Sequence, residues 1–165
     1  MKIILFFLLL IPNFVFSASL SEIGEKGDSF EVDRIIYIYM YDNYFKPNQI
    51  SVSKGETIKF IIKNLGKLVH EFNIGTKDMH KKHEIEMLKM VENEILLGDK
   101  IDHAKMKEIA KIDHSMSHSH SNSILLEPNM IGEIIWKFNA KIDLEAACNI
   151  PGHYDSGMIS KINKL

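Results

Sequence analysis

The chain has 165 residues, with 20 Lys and Arg against 22 Asp and Glu, 8 His and a formal net charge of −2. That near balance argues against nucleic acid as a partner, and the length suffices for one domain with a sizeable core. A single cysteine, Cys148, excludes an internal disulfide, so the thiol must be buried and inert, joined to another chain, or held by a metal.

The first twenty residues, MKIILFFLLLIPNFVFSASL, pair Lys2 with an apolar run from Ile3 to Ile11 and then Val15-Phe16-Ser17. This is the pattern of a signal peptide over 1–17, cut near Ser17, with no cysteine there for a lipid anchor. No later segment reaches the roughly 18 apolar residues of a spanning helix, so no membrane span is expected in the mature chain. Residues 18–165 are expected to act in the periplasm, or to be secreted where there is no outer membrane.

Ile35 to Tyr41 is β-branched and aromatic and reads as a strand. Three further short apolar segments follow, Gln49–Ser53, Thr57–Lys63 and Leu68–Ile74, separated by the turn signals Pro47-Asn48, Lys54-Gly55 and Leu65-Gly66. Residues 76–122 change character. Helix formers run from Lys77 to about Leu97, Gly98 is a stop, a second helical stretch lies near 103–111, and a His/Ser/Met run closes the segment. Strand-like stretches then resume to the C-terminus. The pattern argues an all-β, antiparallel sandwich carrying a helical His/Met-rich insert.

Cys148, His153 and Met158 stand at equal intervals in "CNIPGHYDSGM". A thiolate, an imidazole and a thioether are soft or borderline donors of the kind copper favours, and blue-copper sites add a second histidine. His70, in the strand-like "LVHEFNIG", can supply it, while Pro151-Gly152 turns His153 back towards the thiol. Each residue has a plainer reading: a buried thiol, a core methionine, a core histidine with its hydrogen bonds satisfied.

These two stretches, with "FKPNQISVSKGETIKF", resemble the cupredoxins over roughly 35–165, and the insert makes the chain similar to the periplasmic copper-resistance members of the plastocyanin/azurin group. The resemblance implies a Greek-key β-sandwich with one type 1 copper, His70, Cys148 and His153 being equatorial ligands and Met158 axial. The spacing is like that of rusticyanin-type proteins. A binuclear copper site would need a second cysteine where Gly152 stands.

In the insert, His80, His83, Met87 and Met90 share one helical face, with Leu88, Val91 and Ile95 on the adjoining face expected to dock it. His114, Met116, His118 and His120 fall on one side if their segment is extended. All eight are candidate accessory copper ligands, although methionines on a helix are often core and a His/Ser run is often a solvated loop. The expected function is copper binding in copper tolerance, with copper ions and a redox or copper-transfer protein as partners. The alternative is an azurin-like respiratory electron carrier. An enzyme is not expected, because only His118-Ser119-His120 has the His-x-His form that further copper centres need.

Overall fold

The computed structural model describes residues 20–139 and 143–165; the leader read as a signal peptide lies outside the described residues. Helix α1 (Leu20–Ile23) and strand β1 (Glu25–Lys26) lead through a 3₁₀ turn, Ser29–Glu31, into β2 (Arg34–Tyr41), β3 (Tyr44–Lys46), β4 (Gln49–Val52), β5 (Thr57–Asn64) and β6 (His70–Gly75). Helices α2 (Lys77–Glu92) and α3 (His103–Ile109) and a 3₁₀ turn, His114–Ser117, precede β7 (Ser123–Leu126), β8 (Ile131–Lys137), β9 (Leu144–Ala147) and β10 (Ile159–Lys164).

The strands form two five-stranded sheets, ordered β1-β8-β5-β2-β3 and β4-β10-β9-β6-β7. Most strand pairs are antiparallel, as expected, but two depart from that expectation: β2 pairs parallel with β5 and β4 parallel with β10. The chain crosses from one sheet to the other between β3 and β4 and back before β5, so β5 returns beside β2 running the same way.

Alternation decides the facing sides. Along β5, Ile58, Phe60 and Ile62 are fully buried, and β2 contributes Ile38 and Met40 while turning Tyr37 and Tyr39 outward. Phe60, Phe72, Trp136 and Phe138 fill the centre of the sandwich, with Cys148 and Met158 at its edge in the same apolar cluster. Strand β6 departs from alternation, because all six of its residues are buried. Phe72 and Ile74 enter the sandwich core, while Glu71 and Asn73, on the other face, need a cover.

The insert is that cover. Thr76, directly after β6, caps α2 by accepting the Met79 N–H, and the helix ends at Glu92 rather than near Leu97. It docks by the face carrying His80, Met87 and Met90, all buried, which corrects the expectation that Leu88 and Val91 would dock it: both are exposed. Met87, Met90 and Met116 pack with Val69, Ile95, Leu96 and Ile101 in a second apolar cluster. The segment after α3 is not extended. The Asp113 carboxylate caps a 3₁₀ turn and His118 takes a left-handed conformation, φ 45°. The period-two alignment is therefore lost: His114 is exposed while Met116 points into the second cluster.

Candidate metal centre

His70 opens β6, and Cys148 follows β9, the strand paired with it. From Cys148 the chain turns back on itself. His153 N–H donates to the Ile150 carbonyl, Met158 N–H to the His153 carbonyl, and Cys148 N–H to the Met158 carbonyl. Gly152, at φ +83°, supplies the backbone shape that a residue with a side chain adopts poorly. This closed loop brings together ligand atoms of His70, Cys148 and His153, all within 4.8 Å of one another. Cys148 Sγ lies 3.4 Å from His153 Nδ1. Met158 is fully buried and tied to the loop by its backbone on both sides.

Two residues that sequence reasoning missed prepare the site. Asp42, in the turn between β2 and β3, accepts the Nε2–H of His70 at 3.0 Å and also the backbone N–H groups of Lys67 and Leu68. Donation at Nε2 assigns the lone pair to Nδ1, and Nδ1 is buried with no hydrogen-bond partner. A buried histidine held through one nitrogen by a carboxylate, with its other nitrogen left without a partner and its ring beside two further donors, is the arrangement of a metal ligand with its supporting partner. Gly66 makes this approach possible, since a Cβ there would lie 2.3 Å from Asp42 Oδ1 and 2.8 Å from His70 Nε2. The second missed residue is Glu71, whose backbone N–H donates to Cys148 Sγ at 3.3 Å.

The electrostatics suit donors waiting for a cation. Burial, partly offset by Asp42, holds the His70 imidazole below its ordinary value, and burial with the neighbouring His70 does the same to His153. Both rings are therefore neutral and able to coordinate at neutral pH. Burial pushes the Cys148 thiol up to about 12, reinforced by the charge of Glu71 and opposed by its backbone N–H, so the metal-free thiol keeps its proton. A metal ion of softer type can displace that proton, because thiolate and imidazole donors together suit late transition metals.

The other candidates separate. His80 is buried, with Nε2 3.4 Å from the Glu145 carbonyl. Met87, Met90 and Met116 lie in the apolar cluster and His114 at the surface, whereas His83 and His118 converge on Glu71, with His120 beside them.

Comparison with known proteins points one way. The family model of the cupredoxin-like domain matches residues 5–97. The chain is 39% identical to the copper-resistant cuproprotein CopI of Pseudomonas aeruginosa over 145 residues, covering 84% of this chain and 80% of that one. It is 31% identical to the CopI of Rubrivivax gelatinosus, covering 84% and 71%. Among solved structures, auracyanin from Roseiflexus castenholzii superposes with a TM-score of 0.56 at 18% identity, over 80% of this chain and 96% of that one. Auracyanin B gives 0.60 at 12% identity, over 86% and 96%. These last two likenesses concern the fold.

Proposed function

The chain belongs to the cupredoxin family, and on that premise we propose that it binds one type 1 copper ion through His70, Cys148 and His153, with Met158 as the weak axial ligand, and serves copper tolerance in the periplasm. The buried Nδ1 of His70, unpartnered, on a ring that brings a nitrogen within 4.8 Å of the Cys148 thiol and of a His153 ring nitrogen, carries the reading. The copper-resistant cuproproteins to which the chain is similar support the biological role.

Copper in such a site would supply a one-electron couple between Cu(I) and Cu(II). The protein's part is to hold donors still. Asp42 fixes the His70 ring, the Glu71 N–H steadies Sγ, and the backbone bonds of the 148–158 loop fix His153 relative to Cys148. Donors so restrained move little between oxidation states, which suits both storage and electron transfer. We read the chain as a binding protein rather than an enzyme.

A second reading, as an electron carrier, draws on one observation. His153 borders an apolar hollow lined by Leu68, Val69, Leu96, Ile150 and Pro151, a surface on which a redox partner could rest against the ligand ring.

The deciding experiment adds Cu(II) to the purified protein and records the visible spectrum. A copper–thiolate bond gives intense visible absorption, and Cys148→Ser should abolish it. Wild-type protein that binds Cu(II) and stays colourless would overturn the assignment. Failure of the protein to restore copper tolerance to cells lacking it, with the coloured site intact, would shift the role to electron transfer.

A further inference from the structure

Successive side chains of a strand point to opposite faces, so β6 presents Phe72 and Ile74 to the sandwich core and Glu71 to the underside of the insert. The Glu71 carboxylate is completely buried. Its Oε2 accepts both the backbone N–H of Asn149, at 3.1 Å, and that residue's Nδ2–H, at 2.8 Å. Around Oε1 four groups crowd: Ser123 Oγ, Asn73 Nδ2 at 3.3 Å, His83 Nε2 at 2.9 Å and His118 Nε2 at 2.7 Å. A carboxylate oxygen has two lone pairs, fewer than these four groups require.

The three ligand-type atoms have a telling size. Glu71 Oε1, His83 Nε2 and His118 Nε2 form a triangle whose third edge, between the two nitrogens, is 3.3 Å. Donors about 2.0–2.1 Å from a zinc-like ion stand about 2.9 Å apart at right angles and about 3.3 Å apart in a tetrahedron. The edges of 2.7, 2.9 and 3.3 Å therefore need at most a slight spread to become one face of a coordination shell.

The surroundings complete the arrangement. His83 Nδ1–H donates to Glu86 at 2.9 Å, a support that turns the Nε2 lone pair towards Glu71 when the ring is neutral. The His120 ring stands 5.3 Å from that of His83 and 5.4 Å from that of His118, and the ligand atoms of His83, Glu86 and His120 lie within 4.8 Å of one another. An open cleft of about 190 Å³, lined by His83, Glu86, His120, Asn122 and Asn73, gives a way in.

We propose that Glu71, His83 and His118, with His120 or Glu86 as the next donor, form a second metal site of nitrogen and oxygen ligands for a borderline divalent ion such as Zn(II) or Cu(II). It is chemically unlike the Cys148 site. Met87, Met90 and Met116 pack among aliphatic side chains in the neighbouring cluster, and Met79, which lines the cleft, packs against the sandwich core. The donors named here are nitrogen and oxygen, a set that favours a divalent ion over Cu(I).

Calorimetric titration of the metal-free full chain with Zn(II) separates the two sites. The parent should bind two equivalents, one at Cys148 and one at Glu71. Cys148→Ser and the double variant His83→Ala/His118→Ala should each bind one, and the combined triple variant none. Loss of the two histidines should weaken the second equivalent more than about 100-fold, beyond the 10–100-fold that losing a supporting residue costs. Glu71→Gln, which keeps size and shape, should also weaken it. X-ray absorption at the zinc edge of Cys148→Ser with one equivalent bound gives an independent reading: imidazole and oxygen donors support the site. Zinc binding by the double variant equal to the parent's, no binding by folded Cys148→Ser, or sulfur scattering in its zinc spectrum would each overturn the proposal. A Cys148 site that Zn(II) does not enter would instead leave Zn(II) binding the same in the parent and in Cys148→Ser, at one equivalent that the double variant still abolishes, which supports the second site and leaves the Cys148 assignment to the Cu(II) spectrum.

Discussion

Replacing Asp42 by alanine tests whether the His70 ring is held for a metal or merely buried. Asp42 accepts the His70 Nε2–H at 3.0 Å and anchors the turn before β6 through the N–H groups of Lys67 and Leu68. A hydrogen bond to a charged group contributes about 1.5–3 kcal/mol. Supporting partners of metal-bound histidines typically account for 10–100-fold in metal affinity, which is about 1.4–2.7 kcal/mol and agrees with that range. The carboxylate is 39% exposed, so water entering the vacated space can take up part of the Nε2–H bond, while the fully buried ring keeps its place in the core. We therefore expect Asp42→Ala to weaken copper binding towards the lower half of the 10–100-fold range. Asp42→Asn, which keeps an acceptor oxygen and removes only the charge, should lose less. Competition against a chromophoric copper chelator measures the affinity, and melting of the metal-free protein separates it from loss of fold. An Asp42→Ala protein that folds and binds copper as tightly as the parent would refute the reasoning.

Gly66→Ala should imitate the loss of Asp42, since the new Cβ would fall 2.3 Å from its Oδ1; the same chelator competition should show a 10–100-fold weakening, and unchanged affinity would remove Gly66 from the argument. Met87→Ala should cost about 2–5 kcal/mol in denaturant unfolding and leave the number of bound metal ions unchanged, because the side chain is core. A fall in metal stoichiometry without loss of stability would restore Met87 as a ligand. Met158→Gln should keep copper and colour but lower the reduction potential, as a harder oxygen donor favours Cu(II); voltammetry showing the parent potential would put Met158 outside the coordination sphere.

What could be read in the sequence was what local pattern determines. Ile58, Phe60 and Ile62 alternate as a half-buried strand must, and the Cys148 loop carries its chemistry within eleven consecutive residues. His70 was accessible only through that loop, because a histidine in a strand has no mark of its own. Asp42 and Glu71 were hidden for different reasons. Asp42 looks like any turn carboxylate until the β2–β3 turn is set beside the β5–β6 turn, a neighbourhood created by the parallel β2–β5 pairing. Glu71 did leave a sign, an acid inside the apolar run "LVHEFNIG", but its meaning depended on the insert folding over the outer face of β6. The methionines and histidines at 80–90 share a periodicity that serves a ligand face and a docking face equally well, and packing chose docking for Met87 and Met90. The period-two alignment expected of the His/Ser run fails because Asp113 captures the Ser115 N–H and winds the chain into a 3₁₀ turn.

The contact between Glu71 and Cys148 spans 77 residues and depends on β6 finding β9, with the whole insert lying between them. Before those strands meet, the sole thiol is an ordinary cysteine with a pKa near about 8.5, open to oxidants and to the thiols of other chains. Afterwards it is sealed and holds its proton up to about 12. The molecule thus has a window of vulnerability during its own maturation, and the length of that window is set by how quickly two distant strands pair. Newly made protein kept under oxidising conditions should lose its site to sulfur oxidation in proportion to folding time, a loss that no equilibrium constant of the finished protein records.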